Sequence, residues 1–221
     1  MFDYNGNTIW IYDEITADGF GGISGGDVVK ALESIGNNPV NVKINSPGGD
    51  VFQGLAIYEA LKSHPAKVTT SNDALAASIA SIIYLAGDEK LASPNSFLMI
   101  HDPYSGALGT ADDLRKQAEL LDMAAEQLTG IYVDETQFDA KSVKSLMSIE
   151  TWFNFDEAIE NSLADGSTRQ AAVEAAPVAK KRFRNTPAAL VRDLKAGSRT
   201  PHLTRLAELQ NKLNILRFKN R

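Results

Sequence analysis

The sequence predicts an α/β fold built on a largely parallel sheet, carried by one domain with a basic extension behind it. Three observations support this. Apolar runs of strand length alternate with helical patterns across short turns, as in βαβ units. The chain has 221 residues, 43% hydrophobic and 23% charged, enough for one sizeable core. The charge is also divided. Residues 1–165 hold 9 Lys+Arg against 25 Asp+Glu, a balance of −16, whereas residues 166–221 hold 13 against 3, a balance of +10. The net charge of −6 describes neither part.

The elements follow in order. Thr8–Tyr12 reads as a strand and Asp27–Ile35 as a helix. Val40–Asn45 is the next strand, closed by Ser46-Pro47-Gly48-Gly49. Its helix carries Val51, Leu55, Tyr58 and Leu61 on one face. Lys67–Ser71 is a strand leading through Asn72-Asp73 into a helix of small residues, LAASIASIIYLAG, with Gly87 as its stop. Ser96–His101 is an apolar strand, followed by a Pro/Gly loop and a long helix from Thr110 to Glu135. On that helix Leu114, Ala118, Leu121, Ala125, Leu128 and Tyr132 form a seam that packs on the body or faces a partner.

The body is expected to end near Asp165, giving a domain over 1–165 and a linker and tail over 166–221. Gly166–Ala179 is Ala-rich, as a linker would be. Lys180-Lys181-Arg182-Phe183-Arg184 is a basic cluster. Leu203–Phe218 forms either a basic amphipathic helix, through Leu206, Leu209, Leu213 and Leu216, or a solvated extension. Such a tail suits acidic protein surfaces. Without an aromatic-interleaved groove, specific nucleic-acid binding is not expected.

Composition removes other classes. Without cysteine there is no disulfide, thiolate metal site or cysteine nucleophile. The three histidines, His64, His101 and His202, are scattered, so a multi-histidine metal cluster is not expected; no cofactor is expected either. Met-Phe-Asp-Tyr is acidic and leads into no apolar run, so a signal peptide is not expected. The longest apolar stretch, Ala74–Ala86, is interrupted by Ser78 and Ser81 and falls short of the ~20 residues of a membrane span. A cytoplasmic protein with no membrane partner is the expectation.

Parallel sheets place reactive loops beyond the carboxyl ends of their strands. Here those ends carry a Gly-Gly turn, a serine and a histidine. Gly48-Gly49 leaves two backbone N–H groups unshielded for an oxyanion, or simply makes a tight turn. Ser78, placed in the first turn of its helix between Ala76, Ala77 and Ala80, has the helix dipole to stabilise charge on its oxygen. Spacing alone does not separate it from Ser81. His101, ending its strand, is either a general base toward a rim serine or a half-buried histidine bonded to a backbone carbonyl. His64 and His202 read as surface residues.

Asn45-Ser46-Pro47-Gly48-Gly49, Ala76-Ala77-Ser78-Ile79-Ala80 and Met99-Ile100-His101-Asp102-Pro103, in this order, resemble the Clp-type (ClpP-like) serine peptidases. The resemblance continues to Glu150-Thr151-Trp152 and Asp156-Glu157-Ala158, covering roughly residues 7–165. It implies the ββα superhelical fold shared with crotonases, with a long handle helix. It implies Ser78 as nucleophile, His101 as general base and Glu150 where the family has aspartate. The Gly49 and Ile79 N–H groups would form the oxyanion hole. Gly48-Gly49-Asp50-Val51-Phe52, His101-Asp102-Pro103 and Glu150-Thr151-Trp152 are most similar to phage and prophage head-maturation (prohead) proteases. That branch implies scaffold and capsid precursors as substrates, and a homo-oligomer mated through the 110–135 helix.

One segment departs from the family pattern. Ser162-Leu163-Ala164-Asp165 stands where Gly-Leu or Gly-Phe commonly precedes the closing Asp. Three other readings compete. A crotonase-type acyl-CoA enzyme would share the fold but use carboxylates. A Ser-Lys enzyme finds neither a membrane segment nor a placed lysine. An assembly protein could keep the fold without catalysis.

Overall fold

The computed structural model describes residues 3–168, and their elements run as follows. The strands and helices are β1 (Asp3–Asn5), β2 (Thr8–Ile11), α1 (Gly25–Ile35), β3 (Val40–Ser46), α2 (Val51–Lys62), β4 (Val68–Ala77) and α3 (Ile79–Leu85). They continue with β5 (Glu89–Ala92), β6 (Phe97–Ile100), α4 (Ala111–Glu135), α5 (Ala140–Ser148), β7 (Thr151–Asn154), α6 (Phe155–Glu160) and β8 (Gly166–Ser167). The expectations for residues 169–221, including the basic cluster and the helix over Leu203–Phe218, lie outside the described residues.

The strands join in one sheet of order β1-β2-β3-β4-β5-β8, with β6 beside β4 and β7 beside β6. Pairing is parallel except for β1 with β2 and β6 with β7. The expected α/β architecture with a mostly parallel sheet is the one found. β4 organises it. Its first half, Thr69–Asn72, pairs with β5, and its last residues, Leu75–Ala77, pair with β6. Against β3 its register shifts between Ile44 and Ser46. Ten residues of continuous strand thus run from the middle of the sheet to its carboxyl rim.

One face of the sheet carries the main core, where Ile9, Ile11, Val42 and Ile44 meet Ile57, Leu61, Ile82 and Ile83. On the other face Leu75, Ala77 and Met99 form a small cluster under Phe97 and Trp152. β4 is therefore buried on both faces toward its end. This corrects the expected helix over LAASIASIIYLAG, of which only Ile79–Leu85 is helical. A strand covered on both sides loses its polar alternation, so its small apolar run cannot be told from a buried helix by periodicity.

Helix starts are set locally. Ser24 with Asp27 opens α1, and Thr110 with Asp113 opens α4, each as a reciprocal capping box. The seam on α4 divides. Leu128 and Tyr132 are buried against the body, whereas Leu114 stays exposed, as do Leu120 and Met123 outside the seam. The C-terminal end of α4 is tied to α2. Tyr58 donates its hydroxyl proton to Glu135 Oε1 at 2.7 Å, and Lys62 Nζ lies 2.8 Å from the same oxygen. Burial, then the bond to Glu135, push the Tyr58 phenol well above its ordinary pKa.

β8 pairs with β5 at Leu91 and Ala92, so the sheet continues just past Asp165, the expected end of the body. Before it, Ser162 takes φ 57, the left-handed conformation that glycine would adopt more cheaply. The turn forms nonetheless, with the Leu163 N–H donating to Ala158 C=O at 2.8 Å. Among the described residues, no helix is long and apolar enough to cross a membrane.

Two mid-helix glycines should respond oppositely to alanine. A Cβ on Gly54 in α2 would overlap Ile79 Cγ1, whereas one on Gly130 in α4 meets nothing within 4 Å. Urea unfolding should show Gly54→Ala destabilised by about 1–3 kcal/mol through overpacking. Gly130→Ala should gain about 0.5–1 kcal/mol by removing backbone entropy from the unfolded chain.

Candidate active site

The site begins where β4 stops. Ser78 stands between Ala77 of the strand and Ile79 of α3 with φ 57 and ψ −132. A non-glycine residue held there costs roughly 1–3 kcal/mol, so its neighbours must hold it. Its N–H donates to Met99 C=O at 2.9 Å. Its C=O accepts the Ser81 N–H at 2.9 Å and the Ser81 hydroxyl at 2.6 Å. The serine expected in the first turn of a helix is therefore the sharp joint between strand and helix. Its hydroxyl makes no capping bond and meets His101 Nε2 at 2.8 Å. Ser81 is fully buried and faces away from the histidine, toward Ser78 C=O and the Tyr132 hydroxyl.

His101 follows β6, the parallel neighbour of β4, in register Ala77 to Met99. Its ring lies against Tyr104, with centroids 5.6 Å apart. His64, by contrast, bonds Asn38 C=O at 3.0 Å on the surface, and His202 lies outside the described residues.

Gly48 and Gly49 close β3 beside this joint. Gly48 C=O accepts from the Ile15 N–H and the Asp50 N–H donates to Ile15 C=O, both at 2.9 Å. That parallel bridge turns the Gly49 N–H away from Ile15. The Ser46 hydroxyl pins the turn, donating to Asp13 C=O at 2.6 Å and accepting the Gly48 N–H at 3.1 Å. A Cβ on Gly49 would overlap Ile15 C=O. One on Gly48 would sit 2.7 Å from Ser78 Cβ and 3.1 Å from Ile79 N. The turn thus lies directly against the Ser78–Ile79 peptide.

Glu150 precedes β7, which runs antiparallel to β6 with Ile100 opposite Thr151. Continuing that register by one residue brings Glu150 across from His101. Its carboxylate is buried, at 5% exposure, and accepts the Trp152 indole N–H at 3.3 Å. The Met147 carbonyl receives both the Asp102 N–H at 3.2 Å and the Glu150 N–H at 3.0 Å, tying the two segments to one point. Sequence reasoning named Ser78, His101, Glu150, Gly49 and Ile79, but not the supports Ile15, Met147 and Tyr132. Nothing periodic marks a residue that acts through its backbone, and Tyr132 reads as one more position of the seam. Among the described residues no group of three His, Asp or Glu is placed to hold a metal.

The family model for Clp protease matches residues 8–170. The chain belongs to the Clp protease family. It is 33% identical over 137 residues to ATP-dependent Clp protease proteolytic subunit 1 of Salinibacter ruber, covering 61% of this chain and 59% of that protein's length. With subunit 2 of Treponema denticola it shares 34% identity over 135 residues, 60% of this chain and 68% of the relative. A ClpP1 mutant from Listeria monocytogenes superimposes with a TM-score of 0.65 at 25% identity, covering 74% of this chain and 92% of that one. The ClpP-like fold expected from the motifs is therefore the fold of this chain.

Gly48→Ala should displace the Ser78–Ile79 peptide, because neither φ 83 nor the space beside Ser78 admits a Cβ. Labelling by a fluorophosphonate, which reads an activated serine, should fall at least tenfold in rate while far-ultraviolet circular dichroism stays near wild type.

Proposed function

We propose that this Clp-family chain is a serine endopeptidase working through an acyl-enzyme. The observation that carries the reading is the 2.8 Å contact between His101 Nε2 and Ser78 Oγ. His101 takes the hydroxyl proton as Ser78 Oγ attacks the peptide carbonyl, and then gives it to the leaving amine. The tetrahedral oxyanion is received by the N–H groups of Gly49 and Ile79. Water, activated by the same histidine, releases the acyl group. Glu150 holds the His101 tautomer and stabilises the imidazolium; the β6–β7 register and its burial support that role.

The same reading assigns α4 to self-association, supported by Leu114, Leu120 and Met123 exposed along it. The narrower proposal concerns substrates: scaffold and capsid precursors of a phage head. Its support is the similarity of residues 48–52, 101–103 and 150–152 to head-maturation proteases. The crotonase-type alternative has no use for a serine–histidine pair and would leave Ser78 unlabelled by fluorophosphonate.

Ser78→Ala should lower cleavage of a capsid precursor by about ten-thousand-fold or more without changing fold or oligomer, as read by mass spectrometry of the products. Glu150→Gln should lower kcat by up to about ten-thousand-fold with little change in KM. Undiminished processing by Ser78→Ala would remove the proposal.

A further inference from the structure

The backbone of Ser78 is held by a chain of hydroxyls that the reaction itself does not use. Ser81 is fully buried and Tyr132 is 3% exposed. Ser81 Oγ lies 2.6 Å from Ser78 C=O and 2.6 Å from the Tyr132 hydroxyl oxygen. A carbonyl can only accept, so the single Ser81 hydroxyl proton goes to Ser78. Tyr132 must then be the donor to Ser81 Oγ. The protons run one way, from α4 through α3 into the Ser78 carbonyl. Burial raises the Tyr132 phenol pKa far above its ordinary value, so that donor keeps its proton.

The carbonyl that receives this chain belongs to the same peptide unit as the Ile79 N–H. The peptide is planar and trans, so its C=O and N–H point in opposite directions. Drawing the carbonyl into the body aims the amide outward, toward the Gly48-Gly49 turn that packs against it. Hydrogen bonds into the carbonyl also polarise the amide and make it a stronger donor. The need for such a hold is visible at Ser78, whose φ of 57 leaves the peptide strained and free to swing if released. Packing alone would be served by apolar residues, since buried hydroxyls are costly to desolvate unless bonded. Here that bonding converges on one carbonyl.

We propose that Tyr132 and Ser81 are positioning residues for catalysis, fixing the Ile79 amide as an oxyanion donor through the carbonyl of Ser78. This rests on the serine-peptidase reading above. It links the buried end of α4 to the reacting atoms without any contact between Tyr132 and substrate.

The test compares wild type with Tyr132→Phe, which removes one oxygen, and with Ser81→Ala, which removes both side-chain bonds but keeps the residue-81 N–H on Ser78. Each is assayed on a fluorogenic peptide and titrated with a peptide boronate, whose tetrahedral adduct on Ser78 places an oxygen at the amide donors. Losing an oxyanion donor outright costs about 100- to 1,000-fold, and misaiming one should cost less. On that scale Tyr132→Phe should lower kcat about 3- to 10-fold and Ser81→Ala about 10- to 50-fold. KM should stay within about twofold, and boronate affinity should weaken by the same factor as kcat. Unchanged kcat in both variants overturns the proposal, as does a loss confined to KM with boronate affinity intact.

The amide signal of Ile79 in 15N-labelled protein reads the geometry whether or not a peptide is cut. It should move in Tyr132→Phe, and an unmoved signal counts against positioning. Wild type that neither cleaves nor labels at Ser78 instead removes the peptidase reading, while a shifted amide in that protein still upholds the link.

Discussion

The left-handed backbone of Ser78 is the constraint on which the rest of the structure depends. β4 passes into α3 without a loop, and a single residue reverses the chain there. Ser78 does so between Ala77 and Ile79. For that reversal to occur at the rim, β4 must extend ten residues, which a single neighbour on its outer side does not accompany. β5 and β6 therefore share that side in succession, and the register against β3 shifts between Ile44 and Ser46. The small side chains of Ala74, Ala76 and Ala77, all buried, let the sheet close tightly on both faces of this segment. Gly48 lacks a side chain for the same reason, since the joint occupies the space its Cβ would need.

Strain at the site is concentrated rather than spread. Among the described residues three non-glycine residues have positive φ, namely Ser78, Glu150 and Ser162, and two of them are site candidates. Each costs roughly 1–3 kcal/mol, an amount that persists only where surrounding bonds over-determine the backbone. At Ser78 those bonds come from Met99 and Ser81, and at Glu150 from Met147. Ser162 has another explanation: the chain must return to set β8 beside β5, and a serine performs the turn that glycine commonly makes.

The sequence made the repeated grammar of strand, turn and helix readable because α1, α2 and α4 each have a cap and an apolar face. α4 was legible almost to the residue, with Thr110 as its cap and Glu135 as its end. The end of β4 was not, because burial on both faces erases alternation. β5, α5 and β7 were also missed. Residues Glu89–Ala92, Ala140–Ser148 and Thr151–Asn154 are short and take their places from partners distant in the chain. At the site, residue types were visible while their roles depended on pairing. Ser78 and Ser81 are equivalent by spacing. They part only because the strand ends at Ala77, aiming one hydroxyl at His101 and the other inward.

The charge division enters the physics of α4. Between Ala111 and Glu135 the helix carries seven acidic residues, Asp112, Asp113, Glu119, Asp122, Glu126, Asp134 and Glu135, against Arg115 and Lys116. Glu135 is spoken for by Tyr58 and Lys62, but most of the others line the exposed stretch that also presents Leu114, Leu120 and Met123. Two such helices meeting side by side gain from apolar burial and lose from like charge. The loss is screened beyond about 8 Å at physiological ionic strength, whereas apolar burial is not weakened by salt in this way. Were α4 the mating surface, its acidity would favour association in salt over association in dilute buffer. The two ends of the helix are held differently: its start is exposed and acidic, whereas its end is fixed by the buried Tyr132 and by Glu135 bonded to Tyr58 and Lys62.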